Sequence, residues 1–400
     1  MFGLTAVEVF VAIIIVFIVL YWITPRKNIW FPLAVVTVLL AVLAYNMVPY
    51  DTDDLVRYYQ EIRYMRNDGI EELHRAFKEN LYEWNTYRVA AYYFYFISFF
   101  PDNRWLQTVT IFIVYGLMLL VIYKAANRFN IDKFHMFIGI MFFLSTYWYY
   151  DTASGIRNGL SFAVSFACAY YHLVERKNIP LCYIGYILAT FTHSAGIMPV
   201  LLVLIAELTL NTSGKFINFV LMFGLSGGGI LIKYLSEKTD NSFIQSIAGK
   251  AERHSANGTL GTGTMFWVNV VLLVVLVVFF IYVSYYFLNS EYSHDLKRLY
   301  KYTSITIYFM LGAILSGLIF VRFARWILPA LGALIFMIGM QIQSNQIKRG
   351  KMICPNGYVL PSVDIRVKLR PIVIFLFCAF TAVHFWYLCN GSSLHWIKFD

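Results

Sequence analysis

The chain has 400 residues, of which 60% are hydrophobic and only 14% charged, and its formal net charge at pH 7 is +10. A water-soluble protein carries about 25% charged residues, so this composition excludes a string of soluble domains and indicates a polytopic membrane protein. No cluster of lysine and arginine lies beside soluble aromatic platforms. We therefore attribute the basic charge to cytoplasmic loops and exclude nucleic acid as a partner.

Apolar runs of spanning length predict an all-α fold with about 12 transmembrane helices, forming a single integral membrane domain over residues 1–400. The first 20 residues lack the basic start and small-residue cleavage site of a signal peptide, and we expect them to remain as a span. The predicted spans, in chain order, are 4–23, 29–48, 105–123, 134–150, 157–174, 180–192, 194–209, 216–234, 265–288, 302–320, 326–343 and 371–389.

One further apolar run, residues 89–100, is too short for an ordinary span, and we interpret it as a re-entrant or interfacial segment. If the N-terminus lies outside and this segment does not cross, lysine and arginine concentrate in the inner loops, including the basic loop 344–370. If the segment crosses, the net charge divides equally between the two sides. The positive-inside rule favours the model in which it does not cross.

Two longer loops then face outward, residues 49–88 and 235–264. The first has apolar residues at helical spacing from Leu55 onward, preceded by Asp53 at an N-cap position, so we predict amphipathic helix in the headgroup zone. The second is rich in glycine, serine and threonine and is predicted to be a flexible loop.

Ionisable residues near membrane depth are costly and therefore indicate function, and the candidates here collect on the predicted outer face. Each also has a purely structural interpretation, as a helix cap, an ion pair, a core histidine or an arginine that snorkels to lipid phosphates. The candidates are Asp51, Asp53 and Asp54 after the second span, Asp151 and Arg157 around an outer turn, His193 between two apolar runs, and Arg322 and Arg325 beyond the 302–320 span.

These side chains suit an anionic, lipid-anchored substrate. Guanidinium groups bind phosphate oxygens bidentately and stabilise negative charge on a diphosphate leaving group. A nearby histidine or aspartate could take the proton of an attacking hydroxyl. Tyr149 lies in a Tyr-Trp-Tyr-Tyr run that is typical of an interfacial belt and could alternatively stack on a sugar. The combination indicates glycosyl transfer from a polyprenyl-diphosphate-linked sugar.

Three short motifs resemble the EpsG family, which is grouped with the Wzy-type repeat-unit polymerases of bacterial capsule, exopolysaccharide and O-antigen. They are Asp54-Leu-Val-Arg57-Tyr58-Tyr59, Gly155-Ile-Arg157-Asn-Gly159-Leu and Phe191-Thr-His193-Ser-Ala195. Their order and spacing fit over residues 1–345, whereas 346–370 and the final span look like an extension.

The resemblance implies a multi-pass protein of the bacterial inner (cytoplasmic) membrane with its active site facing outward. It would be a metal-independent polymerase without a cofactor, using undecaprenyl-diphosphate-linked oligosaccharide as donor and acceptor. Membrane lipids, a flippase and a chain-length regulator are the further partners that we expect. We assign catalysis to His193, Arg157 and Asp54, with His193 as general base or as a hydrogen-bond donor to the diphosphate. Substrate binding is assigned to Asp51, Asp53, Arg57, Tyr58, Tyr149, Asp151, Arg322 and Arg325.

Three alternatives stay open. A flippase or exporter of lipid-linked oligosaccharide also needs basic and aromatic groups, but it would carry them through the membrane midplane. A non-catalytic assembly subunit would tolerate loss of the outer arginines and the histidine. A polyprenyl-phosphate-dependent transferase that adds a single sugar shares the chemistry of a polymerase.

Overall fold

The computed structural model describes residues 5–49, 53–80, 83–212, 216–222, 263–288, 293–314, 317–348 and 365–390. Throughout these ranges the regular elements are helices, without a β-strand, which confirms the predicted all-α class. The α-helices are α1 (Ala6–Ile23), α2 (Trp30–Tyr45), α3 (Asp54–Lys78), α4 (Arg88–Ser98), α5 (Trp105–Arg128), α6 (Lys133–Thr146), α7 (Tyr149–Ser154), α8 (Ile156–Tyr170), α9 (Ile179–Thr192), α10 (Ile197–Leu208), α11 (Thr264–Leu288), α12 (Ser293–Ala313), α13 (Gly317–Lys348) and α14 (Ile365–Asn390).

Within the described ranges, six helices are long and apolar enough to cross a membrane. They involve α1, α2, α5, α11, α13 and α14, and three shorter apolar helices involve α6, α9 and α10. A multi-pass membrane protein is therefore confirmed. The count of 12 spans is not, and only residues 216–222 of the predicted 216–234 span are described.

The chain divides into two compact units, residues 1–200 with 378–400, and residues 201–377. In the first unit, α5 packs against α2 and α8, and α8 packs against α9. The Tyr149 hydroxyl donates a hydrogen bond to the Leu40 carbonyl at 2.7 Å, which ties the segment after α6 to α2. In the second unit, α11 packs against α12 and α13, and Arg298 Nε lies 3.1 Å from Glu207 Oε1.

Two predicted span boundaries are wrong. The 134–150 span ends at Thr146, because Tyr147 and Trp148 adopt extended ψ angles before α7 begins. The 302–320 span ends at Ala313, and α13 then runs without interruption from Gly317 to Lys348. Arg322 and Arg325 lower the local hydropathy and so suggested a break between two spans. Arginine is a good helix former, however, and does not end the helix.

The 49–88 segment contains α3, as its helical spacing predicts. Two helical stretches in α3 meet at Gly69, whose φ of 63° and ψ of −136° suit only glycine. The 89–100 segment forms α4, whose 11 residues rise only about 16 Å, about half the thickness of a bilayer core. Residues 235–262, and 349–364 of the basic loop, lie outside the described residues.

The α8–α9 contact depends on a glycine. A Cβ added at Gly185 would lie 2.3 Å from Cys168 Sγ, but 3.8 Å from Cys168 Cβ. Small residues let membrane helices approach closely, and here the thiol of one helix fills the space above the glycine of the other. The sulfur atom is therefore the main obstacle to a larger residue at position 185.

We expect Gly185→Ala to destabilise the protein by about 1–3 kcal/mol, because the added methyl group overlaps the thiol. Cys168→Ala in the same chain should restore most of the loss, since it removes the overlapping atom. The midpoint of unfolding in nanodiscs measures both variants. Gly116→Ala is the control, because its new Cβ would meet Thr37 Cγ2 at an ordinary 3.7 Å. A double variant no more stable than Gly185→Ala would contradict this account of the contact.

Candidate functional site

The start of α3 is held against the turn between α7 and α8. Asp53 occupies the N-cap position of α3 but makes no side-chain cap; its carboxylate accepts a hydrogen bond from the Tyr150 hydroxyl instead. One turn further on, the Tyr58 hydroxyl accepts a hydrogen bond from Arg157 Nε at 3.1 Å. Asp53 and Tyr58 thus attach the start of α3 to the segment that carries Arg157.

Arg157 lies in an aromatic cage, which we define as the rings of Tyr58, Trp84 and Tyr87. The guanidinium carbon is 4.9 Å from the Tyr87 ring centre, 5.5 Å from that of Tyr58 and 5.6 Å from that of Trp84. Each such cation–π contact contributes about 0.5–2 kcal/mol, depending on how far the cation is desolvated. Because the rings are themselves buried, they determine where the guanidinium can lie.

Tyr87 connects the cage to His193. Its ring is parallel to the imidazole, at 2° between planes and 5.3 Å between centres, while Arg157 lies over the same tyrosine. The Tyr87 hydroxyl is 3.0 Å from Ser194 Oγ, the residue after the histidine. One side chain therefore sets the position of both a cation and an imidazole.

His193 lies at a helix interruption, between the end of α9 and a short 3₁₀ turn over residues 194–196. The backbone is extended there, with φ of −159° and ψ of 136°. Its Nδ1 accepts a hydrogen bond from the Ala195 backbone N–H at 3.1 Å. An accepting Nδ1 carries no proton, so the neutral imidazole has its proton on Nε2. The ring is therefore a donor at Nε2.

The remaining carboxylates that the sequence predicts for the site, and Arg57, lie outside the aromatic cage. Asp54 forms an ion pair with Arg57 within the first turn of α3, and both side chains are more than half exposed. Asp151 lies in α7, close enough to the Tyr387 hydroxyl for its charge to act on it. Asp51 lies outside the described residues.

Arg322 and Arg325 belong to the second compact unit. They lie in the second and third turns of α13 rather than between two spans, which corrects their predicted setting. The Arg325 guanidinium carbon is 5.3 Å from the ring centre of Trp326. Tyr149 is fully buried and bonded to Leu40. A ring without an exposed face has none to offer a sugar, so we do not include Tyr149 in the proposed site.

The cage residues Trp84 and Tyr87 are not predicted as site residues by the sequence. Trp84 fits the helical apolar pattern of the 49–88 loop, and this pattern alone indicates an ordinary buried residue. Tyr87 precedes α4 in a connection where Asn80 and Glu83 have positive φ values of 50° and 63°. The only sequence signal for such a role is an aromatic residue in a loop near the start of a helix that carries an arginine, and this signal is weak. Among the described residues no cluster of three histidine, cysteine or acidic side chains could hold a metal ion.

The described residues thus define an all-helical, multi-pass membrane protein in which one tyrosine ring contacts both a caged arginine and a histidine. A family model described as the EpsG family matches residues 29–399, and the chain belongs to that family. The known function of the family is that of a Wzy-type polysaccharide polymerase. The match extends well beyond residue 345, so the C-terminal helix α14 is part of the family pattern and not an extension. No curated protein and no solved structure matches the chain.

A pair of buried carboxylates lies in α3. Glu61 and Glu72 are each only 3% exposed. Arg75 donates two hydrogen bonds to Glu72, at 2.7 and 2.8 Å. Burial raises the pKa of Glu61, and the charge of Glu72 raises it further, whereas the nearby indole of the cage residue Trp84 opposes them. Folding therefore shifts the equilibrium of Glu61 toward its protonated form.

We predict a pH dependence of stability that Glu61→Gln removes. The folded-state pKa of Glu61 lies above the value of about 4.3 in an unfolded chain. Its contribution to stability is then fully present below that value and is lost as pH rises through the folded-state pKa. The glutamine variant should be more stable than wild type at pH 7 and equally stable at pH 4, by thermal unfolding in nanodiscs. The exposed Glu71→Gln should leave the pH profile unchanged, and a parallel profile for Glu61→Gln would refute the assignment.

Proposed function

We propose that this protein polymerises undecaprenyl-diphosphate-linked oligosaccharide repeat units at the outer face of the bacterial cytoplasmic membrane, for a surface polysaccharide such as capsule, exopolysaccharide or O-antigen. The observation that carries the proposal is the Arg157 guanidinium held in the aromatic cage beside His193. Membership of the EpsG family supports the polymerase class, and the site chemistry supports the lipid-diphosphate donor.

In this proposal Arg157 binds the donor diphosphate. Its Nε–H is committed to Tyr58, which sets the plane of the guanidinium. A fixed planar fork matches phosphate oxygens better than the single ammonium of lysine. Arg322 and Arg325 belong to the second unit, and their role in substrate binding stays a prediction from the sequence.

His193 takes the second of its two predicted roles in the proposal, because its proton lies on Nε2. The Nε2–H would donate to a diphosphate oxygen and stabilise charge that develops as the donor bond breaks. Asp54 would orient the acceptor hydroxyl and accept its proton, and its exposed position beside Arg57 allows a substrate to reach it. Asp51, Asp53 and Asp151 would line the acceptor side.

The transfer balances without an added reactant. The acceptor oxygen forms a bond to the anomeric carbon of the donor sugar as the bond from that carbon to the diphosphate oxygen breaks. The electron pair leaves with the diphosphate, and the acceptor proton goes to the carboxylate. A single displacement of this kind inverts the anomeric configuration. The Arg157 guanidinium supplies the positive charge that a metal ion supplies in other transferases.

Two other functions use similar residues, namely a flippase or exporter of lipid-linked oligosaccharide and a transferase that adds one sugar from a polyprenyl phosphate. A flippase exposes its polar groups along a path through the membrane, whereas the cage residues are grouped at helix ends. A single-sugar transferase would leave no ladder of repeat lengths. The glycan pattern of cells distinguishes all three.

We expect deletion of the gene to collapse the long-chain glycan ladder to a single lipid-linked repeat unit at the outer face. Wild-type protein should restore the ladder. Arg157→Lys, which keeps the charge but loses the fork, should reduce polymer formation by about a hundredfold, and Arg157→Ala by at least as much. Gel analysis of lipid-linked and surface glycans measures each outcome, at equal protein amount in the membrane.

The control is Arg104→Lys. Arg104 also lies over an aromatic ring, at 4.7 Å from that of Tyr45, and is paired with Asp102, but it is not in the cage. This variant should support a normal ladder. Accumulation of single units facing the cytoplasm would establish a flippase, and a normal ladder with Arg157→Ala would remove Arg157 from the mechanism.

Two substitutions of His193 distinguish its roles. Glutamine places an amide N–H near the imidazole Nε2 position, so as a donor it should retain activity within about tenfold of wild type. Asparagine can keep the contact with the Ala195 N–H but cannot reach the distal position, and it should lose much more. Amides do not accept a proton at neutral pH, so a general base at this position would make both variants equally inactive. Elongation by purified protein in nanodiscs is the measurement.

A further inference from the structure

Two complementary polar atoms are buried beside each other in the first compact unit. Trp148 precedes α7 and His384 lies in α14; each is 3% exposed. Their ring centres are 6.3 Å apart, with planes at 87°. Trp148 Nε1 and His384 Nε2 are both buried, and neither has a hydrogen-bond partner in the part of the chain that the structure describes.

The tautomer of His384 follows from its other nitrogen. His384 Nδ1 lies 2.8 Å from the carbonyl oxygen of Ser145. A carbonyl oxygen only accepts, so Nδ1 carries the proton and Nε2 of the neutral ring is an acceptor. The Trp148 indole nitrogen can only donate. The pair therefore offers one donor and one acceptor, and a buried polar group left unsatisfied is destabilising.

A hydroxyl group has the two functions that these atoms require, since it can donate to His384 Nε2 and accept from Trp148 Nε1–H. The surroundings suit a sugar hydroxyl. The partly exposed Tyr387 ring lies 5.9 Å from that of Trp148, at 75°, and the Asp151 carboxylate acts on the Tyr387 hydroxyl. Aromatic rings with a carboxylate nearby provide both the apolar face and the hydrogen bonds that a saccharide requires.

An apolar groove borders this pair. It has a volume of about 350 Å³ and is lined by α1, α6 and α14, with Val11, Ile18 and Phe385 among its walls. Ser145 also lines the groove, and its carbonyl holds His384. An apolar groove that shares Ser145 with a neighbouring polar pair suits an amphiphile with a hydrocarbon chain and a hydroxylated head.

We propose that Trp148 and His384 bind one hydroxyl group of the lipid-linked saccharide, with the hydrocarbon chain in the adjacent groove. The identity of the saccharide rests on the proposed function, whereas the hydroxyl-binding pair rests on the two buried atoms. Nothing in the sequence singles out His384, which lies in an apolar span that resembles ordinary membrane helix.

The test uses full-length protein in nanodiscs and the lipid-linked repeat unit extracted from cells that lack this gene. His384→Asn keeps an N–H near the Nδ1 position, which can still bond to the Ser145 carbonyl, and removes Nε2; Trp148→Phe keeps an aromatic ring and removes Nε1. Each should raise the half-saturating concentration of the repeat unit by about fivefold to tenfold. The double variant should lose no more than the larger single loss, because both atoms hold the same hydroxyl. Each should also reduce the rise in unfolding temperature that the repeat unit causes in wild type.

Unfolding without ligand separates this site from a structural one. Removal of an unsatisfied atom should leave the ligand-free stability unchanged or raise it. Lower ligand-free stability with unchanged saturation would mean that the pair holds only a buried water, and would overturn the proposal. His172→Asn is the matched control, since His172 is also 3% exposed and its Nδ1 contacts the Tyr186 hydroxyl; it should leave saturation unchanged.

A failure of the proposed function would give a different result from a failure of the hydroxyl-binding site. If wild-type protein does not elongate the repeat unit, the polymerase proposal fails, and the thermal shift alone decides the hydroxyl site. A shift that is present in wild type and reduced in both variants supports the site. Equal shifts in all three proteins, or none in wild type, would overturn it.

Discussion

The arrangement of the candidate site depends on the Arg157 guanidinium and its aromatic cage. A charge that is partly removed from water must recover its solvation from neighbouring groups, and here three ring faces and the Tyr58 hydroxyl provide part of it. The three rings come from the start of α3, from the connection after α3 and from the position before α4. The cation therefore joins the start of α8 to α3 and to the start of α4, two helices that also pack against each other.

The site is built from helix ends. Helix termini leave backbone groups without intrahelical partners, and several residues of the site lie at or next to such ends. His193 accepts the Ala195 N–H at the start of a 3₁₀ turn, and Arg157 lies in the first turn of α8. The Asp53 carboxylate binds the Tyr150 hydroxyl and does not cap α3. Interrupted helices thus provide polar groups without exposing unpaired backbone in an apolar fold.

The sequence predicted the fold class and much of the site, and the reasons for its failures are physical. Charge and hydropathy identified the multi-pass all-α fold, and the cost of ionisable groups in apolar surroundings singled out Arg157 and His193. Hydropathy could not find the boundary near Ala313, because two arginines lower the local average without breaking a helix. It could not identify Trp84 and Tyr87 either, because an aromatic residue in a cage and an aromatic residue in an ordinary core look the same in a sequence.

The choice of aromatic rings has a consequence for anion binding. A carboxylate partner neutralises an arginine and competes with a phosphate for the same N–H groups, whereas a ring face attracts the cation without cancelling its charge. Tyr87 contacts both Arg157 and His193. The ring that attracts the cation is therefore also the ring that packs on the imidazole, so the two residues of the candidate site share one support.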